Sequence, residues 1–493
     1  MPAYVRMSPL LLRVLAVLFV AAGAAVGAAL LLGRGDDSGE RRLVPGAGTV
    51  PKAGDDGGAY DPLAYTESRE KQLSQAAARG HAHVIYAKSP GGARASAART
   101  ARYRPLIERV ASDSKLDADT LEAIVLLESA GRPDAAADPQ LEGAVGLTQI
   151  LAETGRGLLR MRIDPATARR LSRSIRRATY RGAGATVKRL RERRRQVDER
   201  FDPEKAIRAT GRYLTFARGE LGRDDLAVVS YHMGVGNLQN ALSAYGGDDI
   251  SYARLYFDST PLKHAKAWDK LAGLGDDSST YLWRVGAARE IMRLYRDDPA
   301  MLDRLSRLQN AKNSAEEVLH PRGRTKRFTT PGDLRRAYRS GVIVRLPRAR
   351  LKRRGIRIDA QMGELARRID SPARTYRGLR PAALALLEYL GAGVKAISGR
   401  EPLVLTSTVR DQRYQRVLIS GNREATRNYS LHTTGWAFDI LRRYESRSQG
   451  LAFEFMLGRL QSYDMIAWVR EPAAIHVTVS PRASELVGRV GGG

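Results

Sequence analysis

The chain has 493 residues, of which 43% are hydrophobic and 27% charged. This length exceeds what one hydrophobic core usually supports, so we expect two or three domains, and the composition excludes a chain that is disordered from end to end. The 82 lysines and arginines outnumber the 53 acidic residues, and the net charge of +29 indicates a polyanionic neighbour: nucleic acid, an anionic membrane surface or an anionic wall polymer. The absence of cysteine excludes disulfides, thiolate metal sites and a catalytic thiol.

A membrane segment is predicted at the N-terminus. Residues 14–32 form an uncharged run of 19 residues, which is long enough to span the hydrocarbon core of a bilayer as a helix. Arg6 and Arg13 precede the run, and the positive-inside rule then places the bulk of the chain on the outer, periplasmic or cell-wall side. We therefore expect residues 1–34 to be a single-pass anchor in the cytoplasmic (inner) membrane. The small residues of the run are also compatible with a cleaved signal peptide and a secreted protein.

Composition divides the rest of the chain into four regions. Residues 35–98 are rich in Gly, Asp, Ala and Ser, which predicts a flexible linker. Residues 99–297 predict a helical domain, residues 298–376 a basic linker with short elements, and residues 377–493 a mixed domain. In the last region PAALALLEYLGAG is typical of a helix, whereas EPLVLTSTVR and AIHVTVS are typical of strands, so we expect an α+β fold there.

Residues 159–200 form a basic insertion within the helical domain, with 15 basic and four acidic residues. Sparse apolar residues keep a helical spacing on both sides of the Gly-Ala-Gly at 182–184, which predicts a basic helical hairpin. Two interpretations remain open: a solvated charged face, or contact with an anionic wall polymer or the membrane surface. Export of the chain argues against nucleic acid as the partner.

A helix is predicted between an N-cap at Asp117 or Asp119 and a stop at Gly131. Its apolar stripe comprises Leu121, Ile124 and Val125. Glu128 falls on the same face, seven residues after the start of the stripe. Desolvation and the negative end of the helix dipole both disfavour its carboxylate, so we expect a raised pKa and a carboxyl group able to donate a proton near neutrality. The alternative from spacing alone is a glutamate at the edge of the stripe that reaches water.

The segments around Glu128 resemble the goose-lysozyme-like lytic transglycosylases. The pattern of that family is a helix ending in Glu-Ser, a Gly-Ala-x-Gly-Leu-x-Gln-Ile segment and a downstream Ala-Tyr-Asn-Ala-Gly. This sequence has Glu128-Ser129, then GAVGLTQI at 143–150, then SYHMGVGN at 230–237, in the same order. The resemblance implies an all-α, lysozyme-like domain that acts on peptidoglycan without a cofactor.

The same resemblance implies roles for particular residues. Glu128 would protonate the glycosidic oxygen of the MurNAc–GlcNAc bond and then take a proton from the muramic C6 hydroxyl as the 1,6-anhydro ring closes. The implied substrate-binding residues are Ser129, Gln149, Tyr231 and Asn237. One carboxyl group suffices because the nucleophile belongs to the substrate, whereas ordinary glycosidases need a second carboxylate. The sequence departs from the family at His232, which replaces an Asn, and at Thr148, which replaces a Met.

The C-terminal region contains a second set of candidate site residues. The segment SLHTTGWAFD at 430–439 supplies one imidazole and one carboxylate, and a predicted strand supplies another imidazole. A catalytic zinc ion needs three such protein ligands and a fourth position open for water. In a chain without cysteine, His432, Asp439 and His476 are therefore a suitable ligand set.

This second set resembles the D-alanyl-D-alanine peptidases of the zinc-dependent wall-peptidase class. All five fixed positions of their signature, Ser-x-His-x-x-Gly-x-Ala-x-Asp, match at 430–439. The resemblance implies zinc as cofactor, Arg410 as the group that polarises the scissile carbonyl or binds a substrate carboxylate, and Glu471 as general base. The family places its base three residues before the last ligand, whereas Glu471 lies five before His476. Zinc binding is therefore better supported than peptidase turnover.

The sequence thus predicts a multidomain, exported lytic transglycosylase with a second, zinc-dependent activity on stem peptides. The alternative is a wall-binding or scaffolding protein whose C-terminal domain is inactive. The expected partners are peptidoglycan, the inner membrane through the N-terminal helix, and anionic wall polymers. Nucleic acid is not expected as a partner.

Overall fold

The computed structural model describes residues 61–311, 314–400, 402–421 and 429–489. These residues form two compact units. The first unit comprises residues 84–306, and the second, the C-terminal unit, comprises residues 61–83 and 307–489. The predicted membrane anchor lies outside the described residues, and within them no helix is long and apolar enough to cross a membrane.

The first unit is built of helices, as the sequence predicts. Their bounds are Val84–Lys88 of the helix His83–Lys88, then Ala93–Ala101, Arg104–Ser114, Ala118–Ser129, Ala152–Gly157, Pro165–Tyr180, Gly184–Val197, Pro203–Leu221, Asp224–Met233, Val235–Tyr245, Tyr252–Asp258, Ala265–Ala272, Tyr281–Asp297 and the start of Pro299–Gln309. Helix Ala118–Ser129 packs against helix Tyr281–Asp297. This packing brings the first turn of the later helix to the end of the earlier one.

The local sequence explains the limits of helix Ala118–Ser129. The side chain of Asp117 accepts a hydrogen bond from the backbone N–H of Asp119, which satisfies one of the free donors of the first turn. Leu121 and Ile124 are fully buried on the inner face. Ala130 ends the helix in the left-handed conformation with φ 54°. The predicted helix and its N-cap are therefore confirmed.

Two helices, Pro165–Tyr180 and Gly184–Val197, lie at the predicted basic hairpin. The two helices pack against each other, and the first one has buried small and apolar side chains, namely Ala168, Leu171, Ser172, Ile175 and Ala178. Arg194 differs from the exposed arginines because its guanidinium is buried, donates to Ser172 Oγ at 3.0 Å and pairs with Asp134. The hairpin is thereby fixed to the loop that follows helix Ala118–Ser129.

The C-terminal unit is an α+β structure, which confirms the predicted class. Its main sheet has the order β2-β4-β5-β7-β6, in which only the β2/β4 pair is parallel. The strands are β1 (Val344–Arg345), β2 (Ile356–Ile358), β3 (Gly378–Leu379), β4 (Leu403–Ser407), β5 (Ala437–Leu441), β6 (Ile466–Arg470) and β7 (Ala474–Val479), with β1 and β3 paired separately. The helices are Glu70–Gly80, Ser314–Leu319, Pro331–Arg339, Arg348–Arg353, Pro381–Ser398, Gln412–Gly421 and Arg447–Ser462.

The stretch 35–98, predicted as a flexible linker, is helical over much of its described part. Helix Glu70–Gly80 packs on helix Arg447–Ser462, and Gln461 Nε2 donates to Gly80 O at 3.0 Å. Gly80 permits this approach, since a Cβ there would lie 2.0 Å from Gln461 O. The prediction is wrong for residues 61–98 because a short stripe of leucine and alanine was hidden in a Gly- and Ala-rich composition.

The stretch 298–376, predicted as a basic linker, also belongs to folded structure. It supplies β2, which pairs with β4 in the main sheet, and it carries fully buried side chains at Leu334 and Leu351. The linker prediction is therefore wrong from residue 314 onward. The basic residues of this stretch lie between apolar positions, and the net charge concealed the pattern of burial.

Candidate active site and metal centre

Glu128 is a half-buried residue at the end of helix Ala118–Ser129. The hydroxyl of Tyr281 donates a 2.7 Å hydrogen bond to Glu128 Oε1. Tyr281 is buried and opens helix Tyr281–Asp297, so helix packing fixes the position of the donor. Tyr281 was not among the residues predicted from the sequence, because it lies 153 residues from Glu128 and belongs to none of the three motif segments.

Aromatic rings connect Tyr281 to two residues of the SYHMGVGN segment. The ring of Tyr281 stacks with that of Tyr231 at 6.4 Å and with that of His232 at 5.2 Å. His232 Nδ1 lies 2.8 Å from Ser278 Oγ, while its Nε2 lies 3.8 Å from Asp277 Oδ1. His232, which replaces the Asn of the family pattern, is therefore part of the surroundings of Glu128.

The loop that carries Gln149 is held by Tyr231 and by the base of the basic hairpin. The Tyr231 hydroxyl donates to Thr148 O at 2.7 Å. Arg200, fully buried in an ion pair with Asp198, donates from Nη1 to Ile150 O at 3.3 Å. Gly146 has φ 87°, and a Cβ at this position would lie 1.9 Å from Arg200 O, so glycine is required. These contacts bring the three motif segments together.

The remaining predicted substrate-binding residues are held by local hydrogen bonds. Gln149 has φ 51°, and its Nε2 donates to Gly146 O at 2.9 Å. Ser129 is buried, and its Oγ donates to Val125 O at 3.2 Å. Asn237 Nδ2 donates to Met233 O at 2.9 Å. Ser129 therefore supports the end of the Glu128 helix.

Burial raises the pKa of Glu128 above the usual range of a glutamate. The positive charges of His232 and Arg284 and the hydrogen bond from Tyr281 oppose this rise, and Asp277 adds to it. Asp277 is itself paired with Arg284. The carboxyl group of Glu128 is thus a stronger proton acceptor than a solvent-exposed glutamate, and a larger fraction of it is protonated near neutrality.

Two histidines and an aspartate meet in the C-terminal unit. His432, Asp439 and His476, hereafter the histidine cluster, are all buried, and one ligand atom from each lies within 4.8 Å of the others. Asp439 on β5 is directly opposite His476 on β7, and His432 lies in the short helical turn Leu431–Thr434. Asp439 Oδ1 is 3.1 Å from His432 Nε2 and 2.7 Å from His476 Nδ1.

The outward nitrogens of both imidazoles have acceptors. His432 Nδ1 lies 2.8 Å from the carbonyl of Thr408, which can only accept, so this nitrogen carries the proton. His476 Nε2 lies 2.8 Å from Glu316 Oε1. With their outward nitrogens occupied in this way, His432 Nε2 and His476 Nδ1, which both face Asp439 Oδ1, are the nitrogens that would present lone pairs to a bound metal ion. Two imidazole nitrogens and a carboxylate oxygen are one of the donor sets that bind zinc, so the residues present fit the ion.

The three residues of the cluster have shifted pKa values. Burial and the charge of Arg410 lower the pKa of His432 to about 4. Burial opposes ionisation of Asp439, but the two histidines outweigh it and hold its pKa well below the usual range. Burial likewise opposes a charge on His476, but Glu316 and Asp439 raise its pKa to about 10.

Arg410 and Glu471 occupy different places. Arg410 Nη2 donates to Asp439 Oδ2 at 3.2 Å and to Ser407 Oγ at 2.7 Å, so this residue lies beside the cluster. Glu471 lies in the turn between β6 and β7, where its N–H donates to Ala474 O at 2.9 Å. A second carboxylate, that of Glu316, contacts His476 on the side of the ring away from Asp439, and Glu316 was not among the residues predicted from the sequence.

A comparison with known families matches part of the first unit. Residues 105–253 match the family described as the Transglycosylase SLT domain. The chain therefore carries an SLT domain, and this domain supports lytic transglycosylase activity with peptidoglycan as the substrate. A comparison with curated proteins found no match. Tyr281 and the histidine cluster lie beyond the matched residues.

Proposed function

We propose that the chain is a peptidoglycan lytic transglycosylase with Glu128 as its catalytic acid. The observation that carries this proposal is the carboxyl group of half-buried Glu128, whose pKa is raised and whose Oε1 accepts from Tyr281 beside the loop of Gln149. Glu128 donates its proton to the glycosidic oxygen as the bond from that oxygen to the muramic C1 breaks. The resulting carboxylate takes the proton of the C6 hydroxyl as O6 bonds to C1, which closes the 1,6-anhydro ring and restores the acid.

The substrate-binding assignments rest on the same geometry. We assign Gln149 to contact with the sugar, and the support is that Tyr231 and Arg200 hold the loop in which it lies. Asn237 follows in the helix after the SYHMG segment. We assign Ser129 to support of the Glu128 helix, in agreement with its hydrogen bond to Val125 O.

Digestion of purified peptidoglycan tests the proposal. Wild-type protein and the variant Glu128→Gln are compared, with Glu108→Gln, an exposed glutamate of the same unit, as control. We expect the first variant to lose about 10²- to 10⁴-fold in the rate of anhydromuropeptide release, measured by mass spectrometry, and the control to keep its rate. Anhydro products released by Glu128→Gln at the wild-type rate contradict the assignment.

The free energy of unfolding of Glu128→Gln distinguishes a loss of catalysis from a loss of folding. Because the pKa of Glu128 is raised in the folded protein, its contribution to stability is full below the ordinary glutamate pKa and is lost as pH rises through the higher folded value. The neutral amide of Glu128→Gln imitates the protonated state. We therefore expect this variant to be at least as stable as wild type at pH 7.

A second candidate function is favoured by the histidine cluster. We propose that His432, Asp439 and His476 hold a zinc ion, which would supply an activated water for cleavage of stem peptides. Arg410, which contacts Asp439, is suited to hold a substrate carboxylate. Glu471 remains the proposed general base, but the contacts described above for the cluster involve Glu316 instead. The alternative is that Glu471 does not act at the histidine cluster, and that the domain binds the wall without cleaving peptides.

The second proposal is tested with stem-peptide muropeptides as substrate. We expect His432→Ala to abolish zinc binding, measured by metal analysis after dialysis, and to abolish any peptide trimming. The variant Glu471→Gln tests whether Glu471 acts as general base in peptide trimming or the domain only binds the wall. Metal binding with no trimming in wild type supports the wall-binding alternative, and unchanged zinc content in His432→Ala contradicts the metal site.

We also propose that residues 1–34 anchor the protein in the cytoplasmic membrane with both units outside. The support is the apolar run at 14–32 and the basic residues before it. The basic hairpin is the proposed contact for an anionic wall polymer. Cell fractionation tests the anchor: the full chain is expected in the membrane fraction, and a mature N-terminus beyond residue 32 would show a cleaved signal instead.

A further inference from the structure

Glu316 is a buried carboxylate with no part in the site assignments made so far. It lies on the short helix Ser314–Leu319, and only 6% of its surface is exposed. Its Oε1 accepts from His476 Nε2 at 2.8 Å and from Thr478 Oγ1 at 2.6 Å. Burial of a carboxylate is unfavourable unless its oxygens are bonded, so these two donors account for its presence.

The position of Glu316 relative to the imidazole restricts what it can do. The Nε2 atom of His476 faces Glu316, and the Nδ1 atom faces Asp439 at 2.7 Å. Glu316 is therefore on the far side of the ring from the proposed ligand atoms and is not itself placed as a ligand. An acceptor at Nε2 holds a proton there and fixes the plane of the ring, so that Nδ1 is the nitrogen that would present its lone pair to a bound metal ion.

We infer that Glu316 is a positioning residue that orients His476 and increases its strength as a ligand for a divalent metal ion. This inference rests on the proposed metal site. The partners of the two histidines differ, because His432 donates to the neutral carbonyl of Thr408 and His476 to a carboxylate. A carboxylate attracts the proton on Nε2 more strongly than a carbonyl does, and this makes Nδ1 a stronger electron-pair donor to a metal ion. The simpler role, a polar contact that fixes helix Ser314–Leu319 to β7, predicts no effect on metal affinity.

Competition with a chromogenic chelator measures the zinc affinity of purified variants. We expect Glu316→Ala to weaken binding about 10- to 100-fold, as loss of such partners does elsewhere. Glu316→Gln is expected to fall between this variant and wild type, because its amide oxygen still accepts from Nε2. Thr478→Val keeps the carboxylate of Glu316 and removes one of its hydrogen-bond donors. We expect it to lose less zinc affinity than Glu316→Ala.

A matched control separates positioning from folding. Glu388→Gln removes another buried carboxylate of the same unit, which is paired with Arg350 at 2.6 Å and makes no contact described with the cluster. We expect this variant to keep wild-type zinc affinity. The absorption spectrum of bound cobalt gives a second readout, and a changed spectrum is expected in Glu316→Ala but not in Glu388→Gln.

The outcomes distinguish this inference from the proposal beneath it. Loss of zinc binding in His432→Ala together with unchanged affinity and cobalt spectrum in Glu316→Ala overturns the role of Glu316 and leaves the metal site standing. Unchanged binding in His432→Ala removes the metal site itself. Equal losses in Glu316→Ala and Glu388→Gln show a general effect on folding and also overturn the inference.

Discussion

The two candidate sites place acidic residues in opposite electrostatic surroundings. Glu128 accepts one hydrogen bond from the neutral hydroxyl of Tyr281, and burial raises its pKa. Asp439 contacts two imidazoles and Arg410, and its pKa is held well below the usual range despite burial. The chemistry that each can perform differs accordingly. A carboxyl group that retains its proton can act as an acid, whereas a carboxylate that remains ionised can act as a metal ligand.

The comparison teaches that burial alone does not decide the role of a carboxyl group. Both residues lose solvent, but only the neighbours of Asp439 supply enough positive charge to outweigh desolvation. The sites also differ in support. Two packed helices hold Glu128 and its donor Tyr281, while paired strands carry Asp439 and His476.

The largest expected effect tests the dependence of the first site on its loop. In Gly146→Ala the new Cβ would lie 1.9 Å from Arg200 O at a residue with φ 87°. Strain and overlap together are expected to lower the free energy of unfolding by about 3 kcal/mol. Chemical denaturation followed by circular dichroism measures this change. Gly157→Ala, where nothing beyond the chain neighbours and the backbone of its own helix lies within 4 Å of the new Cβ, is the control and should change stability by less than about 0.5 kcal/mol.

Added zinc tests whether the two sites differ in their need for metal. At a free zinc concentration of 100 times its dissociation constant, we expect wild type to gain about 2.7 kcal/mol of stability, and His432→Ala to gain none. A chelator is expected to reverse the gain but to leave release of anhydro products unchanged, because Glu128 needs no metal. If the chelator stops release of anhydro products as well as peptide trimming, the proposed difference between the two sites is wrong.

Removal of one hydroxyl tests the surroundings of Glu128. In Tyr281→Phe the hydrogen bond that opposes the raised pKa is lost, so the pKa of Glu128 should rise further and the alkaline fall in activity should move to higher pH. The carboxyl group also loses its orienting donor, and we expect a rate loss of about tenfold, or about 1.4 kcal/mol. Tyr180→Phe, at a tyrosine 94% exposed, is the control. An alkaline fall that moves to lower pH would contradict the assigned hydrogen bond.

Residues within contiguous motifs could be predicted from the sequence, and residues that meet them through folding could not. Glu128 stood out by helical spacing, and His432 and Asp439 by a local signature that the sheet then brought to His476. Tyr281 lies 153 residues from its partner, and Glu316 is 162 residues from Thr478. Each is a single polar residue in a segment without a motif, and only tertiary packing gives it a role.

The fold of the two predicted domains could be predicted for the same physical reason. The helix after Asp117 and the strands β4 and β7 have regular apolar spacing, which is visible without the rest of the chain. Helix Glu70–Gly80 is different, because it buries mostly alanine against a helix that follows more than 350 residues later. Its composition resembles that of a flexible linker, and its stability depends on a distant surface.

The smallest expected effect on stability concerns the basic hairpin, where we instead expect a change in binding to cell walls. Arg173, Arg176, Arg177 and Arg181 are exposed, and none has a carboxylate partner among the described residues, in contrast to buried Arg194. A variant with these four arginines changed to glutamine should keep its free energy of unfolding within about 0.5 kcal/mol. We expect it to bind less well than wild type to cell walls that carry an anionic phosphodiester polymer, with a weaker dependence on salt. The matched variant with four lysines should retain binding, measured by cosedimentation. If wild type binds equally well to walls stripped of the polymer, the hairpin is a solvated charged surface. The proposed contact with a polyanion then has no part in recognition of the wall.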